Sequence, residues 1–147
     1  MASLKTVIGS LFLLVFLTAC PAEPVPDQSL EGTSWILLKF SLEDGTILEP
    51  QGEKPITLKF KSGQVSGSAG CNSYFASFET RKEQLKFDGI GATEKYCPGL
   101  MEQEKQYFGL LEEAQAFILR PGQLEITSPA GKLLFDEESA NVQGQEP

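Results

Sequence analysis

Histidine is absent from all 147 residues. That absence excludes Ser-His-Asp and Cys-His nucleophile systems, histidine acid–base catalysis and every histidine-containing zinc site. Basic residues are few: 12 Lys plus Arg stand against 20 Asp plus Glu, a formal charge of −8. A surface of that sign repels phosphate backbones, so no nucleic-acid partner is expected. Catalytic signatures are missing too. There is no S-x-x-K, no Walker A and no G-x-S-x-G, and "DGIG" at 88–91 lacks the strand-glycine-helix context of a dinucleotide site. The apolar run from Val7 to Leu17 is well short of the roughly 20 residues that cross a bilayer.

What that run does suit is the core of a signal peptide. Lys5 supplies the positive charge ahead of it, and the run stops at Leu17-Thr18-Ala19-Cys20. These four residues closely resemble the bacterial lipobox. The resemblance implies cleavage after residue 19 and diacylglycerol on the Cys20 thiol, with the new amine acylated in some envelopes. Two or more acyl chains anchor stably where one is marginal. The alternative is an ordinary signal peptide cut near Ala19. "PAEPVPDQS", 21–29, then reads as a proline-rich tether reaching roughly 28 Å at about 3.1 Å per residue. Pro21, not Asp, follows the cysteine. By Gram-negative sorting rules that implies the outer membrane facing the periplasm, and in other envelopes the outer face of the plasma membrane.

From residue 30 to 136 the chain reads as one domain. "TSWILLKF" (33–40) alternates, with Trp35 and Leu37 on one face and Ile36, Leu38 and Phe40 on the other. "ITLKF" (56–60) is the cleanest half-buried strand. "KSGQ" turns it into "VSGSAGCN", where Val65, Gly67, Ala69 and Cys71 share a face. "SYFASFE" and "QLKFDGI" follow as strands. Between Gly99 and about Ala114 the apolar residues fall at a helical period, with Pro98 near the start. Glu102/Glu104 and Glu112/Glu113 are expected on its solvated surface. "AFILR", "QLEITS" and "LLFDE" close the domain, and residues 137–147 are expected to be a disordered acidic tail. The predicted fold class is mainly β (α+β): an antiparallel meander closed fully or partly into a small barrel, with one α-helix packed against it.

"LEGTSW" (30–35), "ITLKFKSGQVSGSAGCNSY" (56–74), "ATEKYCP" (92–98), the helix "EQEKQYFGLLEEA" and "GQLEITSPAGKLLF" (122–135) together resemble the META domain of HslJ-like bacterial lipoproteins. The resemblance covers nearly all of the chain after the tether. Ala76 and Phe78 stand where the family often has Gly and Tyr. It implies a mostly β, barrel-like fold with one helix, an association with stress tolerance of the envelope, and no shared catalytic activity.

With Cys20 lipidated, Cys71 and Cys97 remain, an even pair in an oxidising compartment. A disulfide between them is expected, and loop closure makes it worth about 3.5 kcal/mol. The alternative is a reactive Cys97 thiol activated by Lys95 or the helix start. Gly67 and Gly70 are expected at a bulge or bend. Asn72 is expected to bond nearby backbone there. Asn72 and Tyr74 lining a binding site is the competing reading. Thr93 belongs to the same motif, and Trp35 is expected in the core. The chain is therefore expected to be a monomeric, non-enzymatic, membrane-tethered envelope protein without metal or cofactor, acting through an unidentified protein or small-ligand partner. The alternatives are an inhibitor of a basic envelope hydrolase such as lysozyme, or a carrier of a small apolar ligand.

Overall fold

Thr57–Lys61 (β3) and Gln64–Ser68 (β4) show how this sequence makes sheet. Ile56, Leu58 and Phe60 are fully buried while Lys59 and Lys61 point outward. The two residues between the strands, Ser62 and Gly63, have φ of 54° and 73°. That is the mirror-image turn whose twist matches the flanking strands. The Glu31 carboxylate accepts both of their backbone N–H groups and holds the turn from outside.

The same logic repeats through a computed structural model describing residues 29–138. The expected signal peptide, Cys20, most of the tether and residues 139–147 lie outside the described residues. The remaining elements are Ser34–Leu42 (β1), Ile47–Leu48 (β2), Ser73–Arg81 (β5), Gln84–Ala92 (β6), Met101–Glu112 (α1), Ala116–Arg120 (β7), Gln123–Ser128 (β8) and Gly131–Glu137 (β9). The nine strands of the described residues form one antiparallel sheet, and β1 also pairs β9 from Trp35↔Glu137 to Leu42↔Gly131. The sheet thus closes into a ring from β1 through β3 to β9, with β2 appended to β1 beyond the end of β3. Its thinnest seam is β6–β7, a single paired position, Gln84↔Ala116. Flanking bonds from Leu85 N to Gln115 O and from Phe117 N to Glu83 O complete it.

Trp35, Phe40, Leu58, Phe60, Leu124 and Phe135 fill the interior, each at most 2% exposed. Burial of each such side chain contributes roughly 1.5–3 kcal/mol. Ala76 and Phe78 pack with this core, Phe78 edge-on to Phe60 with centroids 4.9 Å apart. Helix α1 lies between β6 and β7 in the chain and packs on β6, β8 and β9.

Four details differ from the sequence expectation. Phe40 shares the buried face with Trp35 and Leu37, because the β1–β9 register jumps between Leu37 and Lys39. Leu38 is the extra residue of a β-bulge, and a one-residue bulge inverts every side chain beyond it. Strand β4 ends at Ser68, so Cys71 sits in the following bend although it stays buried. Glu104 is buried at 5% exposure, not solvated. At the far end, Glu138 N donates to Ser34 O, so the first two residues of the expected tail, 137 and 138, have ordered backbone. "DGIG" also has a structural account. The β5–β6 register gains a residue there, and Gly89 at φ 65° takes the left-handed conformation of a bulge.

Candidate functional site

The bend after β4 is where most of the motif residues meet. Gly67 comes first. A Cβ there would lie 2.0 Å from Thr57 O, so only glycine lets β3 and β4 approach this closely. Gly70, at φ 96°, turns the chain, and Ala69 N closes the bend onto Asn72 O at 2.8 Å. Cys71 is bonded to Cys97 with Cα atoms 5.9 Å apart, inside the ordinary range for a disulfide. The expected pairing is therefore present.

Asn72 reaches further than its own bend. Its Nδ2 donates to Glu104 Oε1 at 2.7 Å and to Lys95 O at 3.0 Å. Its Oδ1 accepts from Lys95 N and from Thr93 Oγ1, both at 2.7 Å. Two donors and two acceptors are all a primary amide has. Its backbone N adds a bond to Glu104 Oε2 at 2.8 Å, so one carboxylate takes the backbone N–H and one amide N–H of the same residue. Such charge-assisted bonds are the strong ones, and here they are sheltered from water. The amide ties the bend, the 93–97 segment and the first turn of α1 into one unit.

Beside it, Tyr74 Oη donates to Thr57 O at 2.8 Å and meets Tyr107 Oη at 2.7 Å. Since Tyr74 spends its proton on the carbonyl, Tyr107 donates to Tyr74. Burial pushes the Tyr74 phenol well above its ordinary range, with the Tyr107 hydrogen bond opposing. Burial also raises Tyr107, and the neighbouring Tyr74 adds to the effect. The phenols are neutral structural groups at any physiological pH.

The structure brings together Gly67, Gly70, Cys71, Asn72, Tyr74, Thr93 and Cys97. Trp35 stays with the core, its Nε1 donating to Thr33 Oγ1 at 2.7 Å. Glu104 and Tyr107 were missed in the sequence. Their signal was available: Leu100, Glu104, Tyr107 and Leu111 follow one helical stripe, and an acid inside such a stripe marks a buried partner. Among the described residues no buried side-chain N or O lacks a hydrogen-bond partner. The clasp is chemically saturated: both thiols are joined and every polar atom of Asn72 is occupied.

A different arrangement lies along the later turns of α1. There a groove of about 410 Å³ is lined by Leu42, Glu43 and Asp44, by Gln106, Gly109, Leu110 and Glu113 of the helix side, and by Ala130. Two turns form its far wall. Glu43 N donates to Ala130 O at 3.0 Å, stitching the β1–β2 turn to the β8–β9 turn. Asp44 caps its own turn by accepting from Thr46 N at 2.9 Å, which holds its carboxyl below the usual range. Neither Glu43, Asp44 nor Glu113 has a Lys or Arg nitrogen within 4.0 Å among the described residues, whereas Glu125 has both Arg120 and Lys132. No group of three or more acids and thiols among the described residues is arranged to hold a metal.

Fold and clasp together define a class: a small antiparallel ring of strands closed by the β1–β9 pairing, with helix α1 packed against it and a disulfide beside a saturated asparagine. The chain belongs to the META domain family, whose pattern matches residues 28–140. It is similar to a protein from Burkholderia xenovorans solved by NMR, with a TM-score of 0.66 and 25% identity over 86% of this chain and 99% of that one. A second NMR structure matches with a TM-score of 0.56 and 22% identity over 71% of this chain and 87% of that one. A DUF4847 family protein from Bacteroides vulgatus shares the fold at a TM-score of 0.50 and 13% identity, over 71% of this chain and 92% of that one. No curated protein matches the chain. Among the described residues no helix is long and apolar enough to cross a membrane.

Proposed function

We propose that this META domain is held on the envelope by a lipid on Cys20 and acts there by binding, without catalysis, in envelope integrity or stress tolerance. The observation that carries the reading is the Cys71–Cys97 disulfide. Such a bond persists in an oxidising compartment, which is where a lipobox-like leader delivers its protein. The buried clasp supports a structural duty for the motif, since its amide and thiols are already engaged. Labelling with radioactive palmitate tests the anchor. Wild-type protein takes up label and stays with membranes, while Cys20→Ser gives an unlabelled, uncleaved or soluble species. A Cys20→Ser protein that matures and partitions as wild type would remove the anchor from the proposal. A turnover of envelope substrates abolished by Cys71→Ala in folded protein would remove the non-enzymatic part.

A second reading, inhibition of a basic envelope hydrolase such as lysozyme, is favoured by the acidic margin of the α1 groove. Turbidity assays of cell-wall suspensions with lysozyme, with and without the protein, test it. The carrier reading draws no support from the ring interior, which is filled by aromatic and aliphatic side chains.

A further inference from the structure

The α1 groove combines three features that the fold itself does not require. The first is Gly109, in the interior of the helix. Glycine there costs about 1 kcal/mol relative to alanine. At the close β3–β4 approach a Cβ has no room, but at Gly109 a Cβ would meet nothing within 4 Å. No contact inside the domain accounts for the glycine, and its effect is to keep the groove floor bare between Gln106, Leu110 and Glu113. The second is charge. Glu43, Asp44 and Glu113 carry one sign around an apolar floor, with no cation of this chain against them among the described residues. The third is the helix end. Its last turn holds no basic residue, so Glu113 sits at the C-cap where the backbone dipole is already negative.

From these we infer that the groove receives an arginine side chain projecting from a partner protein. The aliphatic stem would lie on Leu42, Gly109 and Leu110, and the guanidinium would reach Glu43, Asp44 and Glu113. A guanidinium suits this site better than an ammonium, because it is weakly hydrated, lies flat on apolar surface and is gripped by carboxylates in pairs. An anion would be repelled by the three exposed acids and the helix end, and an uncharged apolar ligand would use none of them. The inference rests on the reading that the domain acts by binding, and names the chemistry of that partner; it does not depend on the lipid anchor.

The test is an NMR titration of the isotope-labelled full chain with a short acetylated, amidated peptide centred on arginine, at constant ionic strength. The control is the same peptide with citrulline, which has the same shape and no charge. The expected result is saturable shifts at the amides of Glu43, Asp44, Gly109, Glu113 and Ala130 with arginine and none with citrulline. Glu43→Gln and Glu113→Gln should each weaken the peptide about threefold, the scale of one exposed ion pair. Gly109→Leu fills the floor at a helix-compatible position and should abolish the shifts, while circular dichroism shows the fold intact. Equal shifts with citrulline, shifts scattered over other acidic surface, or full binding by Gly109→Leu would each overturn the assignment. A null titration alongside palmitate-labelled, membrane-bound protein would sink the groove and leave the envelope reading standing.

Discussion

The first turn of α1 and its last two turns use acids and glycine in opposite ways. At the first turn, Glu104 is buried and both carboxylate oxygens are taken by Asn72. The nearby Gly67 is glycine because Thr57 O leaves no room for a side chain. At the far turns, Glu113 has no ion-pair partner among the described residues and Gly109 faces open space. One end of the helix is used up in holding the ring together. The other bears costs that the ring does not explain. A buried polar group that is fully partnered points to architecture, and a local cost without an internal beneficiary points to something outside the domain.

Four measurements press on that contrast. The largest effect belongs to the clasp: Asn72→Ala strands the buried Glu104 carboxylate and should cost about 4 kcal/mol in urea unfolding, the scale for orphaning a buried charge. A loss under 1 kcal/mol would mean that water replaces the amide and that the clasp is not what holds α1. Cys71→Ala and Cys97→Ala should each cost about 3.5 kcal/mol, and the double variant no more than either, because the pair acts as one unit. Additive losses would show that the sulfurs work separately.

The tyrosines give a pH signature. Both phenols are raised by burial in the folded state. Below about pH 10 they are neutral in folded and unfolded chains alike, so stability is unaffected. Above it the unfolded chain releases protons that the folded chain keeps, and stability falls by about 1.4 kcal/mol per pH unit for each tyrosine. Tyr107→Phe should lessen that slope, and an unchanged slope would assign the alkaline loss to other groups. The smallest effect lies at the groove: Gly109→Ala should stabilise the domain by about 0.5–1 kcal/mol. A destabilised Gly109→Ala protein would erase the contrast, since the glycine would then serve the fold.

The legible part of this molecule was what alternates. Ile56, Leu58 and Phe60 announce a half-buried strand, and "KSGQ" announces its turn, because a two-residue period and a positive-φ pair are local properties. Phe40 was placed on the wrong face because a bulge at Leu38 depends on register with β9, about a hundred residues away, and leaves no mark in β1 itself. The disulfide followed from counting thiols. The reach of Asn72 to Glu104 did not, since Glu104 looks like any surface acid until the stripe through Leu100, Tyr107 and Leu111 is read as including it. The groove was invisible because its walls come from two turns and a helix remote in sequence.

The pairing of β1 with β9 sets an order on folding. Neighbouring hairpins join by local contacts, but β1 must meet the last strand, and a join spanning nearly the whole domain carries the largest loop-closure cost. Until then, β1 and β8 each present an unsatisfied row of backbone groups. A chain truncated before residue 131 keeps both edges open for good, and two such chains are templates for each other. The last seven-residue strand is therefore what covers both edges at once.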